Sequence, residues 1–140
     1  MSIAKLIICE KVPRWAPALR ALLSADTPLV EVRSLTQCTA ALAEAPDSAV
    51  LIEITGGHLE SAAAFVLDHS RRLSSACFLA ALPAEMVGAE GLLREIGVAM
   101  VFFSTLEAGG AATLAMRHLA LHPPSEQSLA EAVPSWIRIN

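Results

Sequence analysis

The chain has 140 residues, 54% of them hydrophobic and 17% charged, with a formal net charge of −4. That length fits one domain with a sizeable core, and the sparse, unclustered charge excludes a nucleic-acid surface, which needs blocks of Lys and Arg. The charged fraction lies below the roughly 25% of a typical soluble domain, which suits a chain that covers part of its surface with a partner. LIIC, residues 6–9, is a short and wholly apolar first strand. Pro13 and Pro17 then punctuate the start of a helix in which Trp15, Leu19, Leu22 and Leu23 recur at helical spacing, until Asp26 and Pro28 stop it. Pro17 has no N–H to donate and belongs in the first turn.

LVEVRSL, residues 29–35, sets Glu31 and Arg33 on one side and Val30, Val32 and Ser34 on the other, the pattern of a half-exposed or edge strand. An alanine-rich helix over residues 36–44 ends before Pro46, and AVLIEI, residues 49–54, is a more continuously apolar and therefore central strand. Beyond Gly56-Gly57, a helix over residues 59–70 puts Leu59, Ala63, Val66 and Leu67 on one stripe. ACFLAAL, residues 76–82, is the fourth strand. Pro83 opens a helix that Gly88 and Gly91 weaken by about 1 kcal/mol each relative to alanine. Gly97 stops it, VAMVFF over residues 98–103 is the fifth strand, and a last helix over residues 107–122 has Leu114, Leu119 and Leu121 among its apolar positions.

Strands that alternate with helices, through connections too long for hairpins, give an α/β fold: a doubly wound, five-stranded parallel sheet with helices on both faces. Residues 1–122 form the domain and residues 123–140 a C-terminal extension or linker. Within the extension, residues 125–132 are a candidate short helix, and VPSWIRI carries apolar side chains suited to docking on the domain or on a partner. No apolar run reaches the roughly 18 residues of a membrane span and the N-terminus lacks a signal-peptide pattern. The expected location is the cytoplasm, with no membrane partner.

In a doubly wound sheet, chemistry collects beyond the carboxyl ends of the strands. Those positions hold Cys9 and Glu10, Glu53, Ala80 and Ala81, and Ser104 and Thr105. With these residues in this order the chain resembles the receiver domains of two-component response regulators, over about residues 5–122. The resemblance implies a flavodoxin-like strand order, 2-1-3-4-5. In that family an acidic pair after strand one and an aspartate at strand three hold Mg²⁺, and the aspartate accepts a phosphoryl group from a histidine kinase. A Ser or Thr ending strand four and a Lys after strand five bind the phosphoryl oxygens. Here Cys9 and Glu10 stand in the acidic pair, Glu53 in the phosphoacceptor place and Ala80 in the Ser/Thr place. Ser104 stands where the lysine belongs, and Thr105 where a proline commonly follows.

The site is therefore degenerate. Hard Mg²⁺ needs several oxygens in near-octahedral geometry, and a thiol is a poor substitute. Transferred phosphate needs a fixed cation or donor where charge accumulates; Ala80 cannot hydrogen-bond through its side chain, and Ser104 is neutral and far shorter than lysine. Glutamate also moves the nucleophile roughly an ångström outward. The expectation is a phosphorylation-independent signalling or regulatory module without cofactor, metal or enzymatic activity. It would bind a protein partner or dimerise through the fourth helix, fifth strand and fifth helix, residues 84–122, the family's frequent docking face. Two alternatives stay open: a receiver still regulated by metal, phosphorylation or a small ligand at Glu10 and Glu53, and a small α/β enzyme. Glu53 itself has three readings: a mimic of a modified aspartate, half of a residual cation site with Glu10, or a carboxylate at the strand mouth that stays wet or accepts from Thr55, Gly56, Gly57 or other nearby donors.

Other reactive residue types add little. His58 is a possible ligand or base near the pocket, or an ordinary exposed loop residue. Gly56-Gly57 and Gly109-Gly110 lack the flanking residues of a dinucleotide fingerprint or a P-loop. Cys9, Cys38 and Cys77 form no CxxC pair, so no zinc site or disulfide framework is expected, and Cys9 and Cys77 read as small buried hydrophobes. His69, His118 and His122 fall on helices without metal-ligand spacing.

Overall fold

The computed structural model describes residues 3–73 and 75–123; the expectations for residues 124–140 lie outside the described residues. Strands and helices alternate as β1 (Leu6–Cys9), α1 (Trp15–Arg20), β2 (Leu29–Val32), α2 (Leu35–Glu44), β3 (Ala49–Glu53), α3 (Leu59–Arg72), β4 (Cys77–Ala81), α4 (Glu90–Glu95), β5 (Val98–Phe102) and α5 (Ala108–Leu121). The strands pair in parallel in the order β2-β1-β3-β4-β5, a flavodoxin-like α/β sheet with β2 and β5 at its edges.

The unbroken apolar runs of the inner strands are explained by two cores, one on each face. Alternate residues Ile7, Val50, Ile52 and Phe78 pack with Leu42 of α2 and Val66 of α3. Their neighbours Ile8, Leu51 and Leu79 pack on the other face with Trp15 and Leu19 of α1 and Ala111 and Ala115 of α5. Each fully buried aliphatic or aromatic side chain contributes roughly 1.5–3 kcal/mol, so both faces hold the sheet in place.

Several local expectations are corrected by packing. α1 is shorter than its apolar spacing implies, and Leu22 lies exposed beyond its end. β2 stops at Val32 because Ser34 leaves the sheet to cap α2, its hydroxyl accepting from the Gln37 amide at 3.1 Å, so Leu35 begins the helix. The inward stripe of α3 is Ala62, Phe65, Val66 and His69, leaving Ala63 and Leu67 half-buried. Phe65 turns the helix that way by meeting Phe78 edge-on, with ring centroids 6.2 Å apart. His69 is buried on the same stripe, its Nδ1 2.8 Å from the Phe65 carbonyl oxygen. In α5 the buried positions are alanines, Ala108, Ala111, Ala112 and Ala115, while Leu114 and Leu119 are half-buried and Leu121 is exposed. Small residues let this helix lie close to the sheet. The glycine-weakened segment before β5 divides into 3₁₀ backbone over Ala84–Ala89 and the six-residue α4.

Gly97, between α4 and β5, has φ +124°, and a Cβ there would lie 2.8 Å from the Ser70 Cβ. The Ser70 hydroxyl donates to the Ile96 carbonyl at 2.9 Å, tying the end of α3 to this turn. Gly97→Ala is therefore expected to destabilise the fold by about 2 kcal/mol or more, read by urea denaturation. His118 of α5 is half-buried with Nε2 2.8 Å from the Asp47 carbonyl oxygen, and burial, joined by repulsion from His122, pushes its pKa below the usual 6.5. Because the folded chain favours the neutral ring, this contribution is complete above about pH 6.5 and is lost as pH falls through the lower folded value. His118→Gln should flatten that acid-side loss of thermal stability, measured by melting from neutral pH down to about pH 5.

Candidate functional site

Beyond the carboxyl ends of β1 and β3, where the strand order reverses, the loops after β1, β2 and β3 meet. Glu10 follows β1 directly and is 2% exposed. Its Oε1 accepts from the amides of Arg14 at 3.0 Å and Trp15 at 2.9 Å, and its Oε2 accepts from the Ala16 amide at 2.9 Å. These are donors that the first turn of a helix leaves without intrahelical partners, and a carboxylate there is also favoured by the positive end of the helix dipole. Glu10 is thus the anchor of α1.

That anchor places Arg14, whose guanidinium Nη2 donates to Glu53 Oε2 in an ion pair. The Glu53 side chain is 14% exposed and that of Arg14 is 62% exposed. Glu53 ends β3 and is held by a cation from the β1–α1 loop, so among the nearby donors open to it the partner is Arg14 rather than Thr55, Gly56 or Gly57. Glu10 and Glu53 both border this region, yet each is committed to a different partner. Among the described residues, no group of three or more His, Cys, Asp or Glu side chains is placed to hold a metal ion.

The phosphate-sensing positions are arranged otherwise than the resemblance implies. The β3–β4 register pairs Glu53 with Ala81 and Ile52 with Ala80. Ala80 packs in the core with α2 and α3, whereas Ala81 lines the mouth beside Glu53. Parallel register puts paired side chains on the same face, so the alanine beside Glu53 is Ala81. The Ser104 hydroxyl accepts from the Leu106 amide at 3.1 Å and caps a 3₁₀ turn over Thr105–Glu107. Thr105 lies exposed at the rim. A cavity of about 320 Å³ on this side is bordered by Arg14, Glu53, Ala81, Ser104 and Thr105, without a second cation.

A larger cavity, about 430 Å³, lies on the other side of the Arg14–Glu53 pair, towards α2 and α3. Cys9 lines it, its thiol hydrogen-bonded to Cys38 of α2; that bond holds Cys9 below its usual value, while the same bond and burial push the Cys38 thiol strongly up, and burial also raises Cys77. The raised Cys38 and Cys77 thiols stay neutral at ordinary pH and are neither nucleophiles nor metal ligands. His58, exposed at the start of α3, bridges two loops: its Nε2 is 3.0 Å from Lys11 Nζ and its Nδ1 is 2.8 Å from Thr55 Oγ1. A charged Lys11 can only donate, which makes Nε2 the acceptor and Nδ1–H the donor to Thr55. Arg33, after β2, donates to the Glu10 carbonyl at 3.2 Å and to Glu31 at 2.9 Å. Hydrogen bonds from Arg33, then Arg20, hold the Glu31 carboxyl below its usual range.

The residues that the sequence reading missed are the cations Lys11, Arg14 and Arg33. A legible signal existed for the Glu10 cap, since an acid followed by a proline-bounded helix start is a capping arrangement, but not for the partner of Arg14. Compared with protein-family models and with curated proteins, the chain matches none of them. Among the described residues no helix is long and apolar enough to cross a membrane.

The two carboxylates should separate cleanly in mutagenesis. Glu10→Ala strands buried amide donors and is expected to cost about 3 kcal/mol in urea denaturation. Glu53→Ala removes an ion pair whose arginine is largely exposed and free to solvate, and should cost roughly 1 kcal/mol.

Proposed function

We propose that the chain is a receiver-like domain acting as a phosphorylation-independent protein-interaction module in signalling. The observation that carries this reading is the commitment of both candidate acidic groups: Glu10 to three backbone amides and Glu53 to Arg14. A Mg²⁺ ion at this place would have to strip Glu10 from a helix terminus and compete with a guanidinium for Glu53. Phosphoryl transfer to Glu53 would likewise have to break the ion pair, with Ala81 offering no side-chain donor and Ser104, a neutral hydroxyl that caps its own turn, no charge to the product oxygens. The architecture, with its strand order and two-faced cover, agrees with the resemblance.

The interaction surface in this reading is the segment from the end of β4 through α5, with β5 as the sheet edge. Among the described residues, five of the eight exposed large apolar side chains fall there: Val87, Leu92, Leu106, Met116 and Leu121. Leu106, at the β5–α5 turn, is 95% exposed. Arg94 covers part of the β5 edge by donating to the Ala99 carbonyl at 3.4 Å, so this edge offers side chains more than a free strand ladder to a partner. A second copy of the chain is the occupant that can be tested directly.

Exposure to acetyl phosphate with Mg²⁺ is expected to leave the intact mass unchanged, and Mg²⁺ alone to leave the melting temperature unchanged. Sedimentation equilibrium should detect self-association that Leu92→Glu with Leu106→Glu weakens without altering the circular-dichroism spectrum. A phosphorylated Glu53, or a strictly monomeric chain at high concentration, would overturn the respective half of the reading.

A further inference from the structure

The 430 Å³ cavity is not needed by the interaction reading, and its lining is unlike the rest of the molecule. Its walls are mainly apolar, from Val12, Leu35, Ile52 and Ala62, and its charged groups are Lys11, Arg14 and Arg33 against Glu53. With His58 neutral, those four groups leave two net positive charges, in a chain whose overall charge is −4. Small-molecule sites have this composition: apolar walls, a few convergent polar groups and a volume of about 300–1,000 Å³. The position is also the one at which ligands enter open α/β sheets, outside the carboxyl ends of β1 and β3 where the strand order reverses.

The cations are not equivalent. Arg14 is paired with Glu53, and Arg33 with Glu31 and the Glu10 carbonyl. Lys11 is held at 3.0 Å by the neutral His58 ring, and among the described residues no carboxylate pairs with it. The hydrogen-bond relay from Lys11 through His58 to Thr55 fixes an ammonium at the rim. Next to it Val12 stands 64% exposed on the same loop, an apolar side chain at a cavity entrance that no segment of the described domain covers.

We propose that this cavity binds a small organic anion: a molecule with one carboxylate, sulfonate or phosphate headgroup and an apolar body. The headgroup meets Lys11, with the Arg14 and Arg33 guanidiniums within the same lining, and the body lies against Val12, Leu35, Ile52 and Ala62. An anion that reaches Arg14 competes with Glu53 for it, so occupancy loosens the ion pair between the two cavities. The proposal rests on this cavity alone and is independent of the docking face.

The test is a fluorescence titration of the full chain with anilinonaphthalene sulfonate, alongside its uncharged analogue N-phenylnaphthylamine. Wild type is expected to bind the sulfonate saturably at one site, with displacement by phenylbutyrate but not by phenylbutanol. Lys11→Met should weaken the sulfonate by about tenfold and leave the neutral dye unchanged. Val12→Glu, a substitution at an exposed position that leaves folding intact, should weaken it at least as much. Leu106→Glu, on the other face, should have no effect. Unsaturable binding, equal displacement by the alcohol, or affinity indifferent to Lys11→Met and Val12→Glu would overturn the proposal. Loss of dye binding in Leu106→Glu would assign the dye to the docking face and overturn it as well.

Discussion

A carboxylate removed from water has to find several donors or a cation, and Glu10 finds three amide N–H groups in the opening turn of α1. Much of the mouth of the sheet follows from that contact. It sets where α1 begins after a loop containing Pro13, and it puts Trp15 and Ala16 onto the sheet face shared with α5. It also pins the Arg14 backbone so that the side chain projects over the end of β3 onto Glu53. Two acids that would repel each other in a metal site are instead kept apart by a helix terminus and a guanidinium. The arginine of the pair is largely exposed, which limits what the pair contributes to stability. Its consequence is steric and electrostatic: it stands between the two cavities and neutralises Glu53, the one carboxylate among the described residues that borders both.

The two sides of that divider differ in chemistry. On the α2–α3 side, Lys11 and Arg33 add positive charge to apolar walls. On the α1–α5 side, Ala81, Ser104 and Thr105 add none. In a receiver-type arrangement the cationic partner of the strand-three acid comes from the far side, after β5. Here it comes from the loop after β1, so the electrostatic centre of the mouth lies towards β1 and β2. A negatively charged group approaching the sheet ends is drawn to Lys11 and Arg33 more than to the Ser104 turn.

Strand identity was legible because inner parallel strands must be apolar on both faces, and LIIC, AVLIEI and FLAAL carry that signature; the strand order came from the resemblance, not from these runs. The faces of α3 and α5 were not. A leucine-led reading fails when alanines set the closest approach, as Ala108, Ala111, Ala112 and Ala115 do, and when one ring decides the rotation, as Phe65 does against Phe78. At the mouth, the loss of the usual magnesium and phosphate groups could be read from residue types alone. What replaced them could not, because the Arg14–Glu53 pair spans 39 positions and depends on where a loop folds back. The one-residue difference between Ala80 and Ala81 has a related cause: strand alternation makes each step in register a change of face.

A switch requires an element with two arrangements and a ligand that distinguishes them. The β5–α5 turn lacks a side chain linking it to Glu53: Ser104 accepts from Leu106, and the Phe103 amide donates to Glu107 Oε1 at 2.9 Å, so the turn is closed by its own bonds. Charge changes at Glu53 therefore have no polar route through that turn to the proposed docking face. Arg14 is different. Its guanidinium is largely exposed, it borders both cavities, and it has alternative anions within reach whenever one enters beside Lys11. Exchange of Glu53 for an incoming headgroup would release a carboxylate at the end of β3 beside Ala81 and Thr55 while leaving the Glu10 anchor of α1 intact. At the proposed anion site, the outcome of binding is thus a matter of which anion holds one arginine.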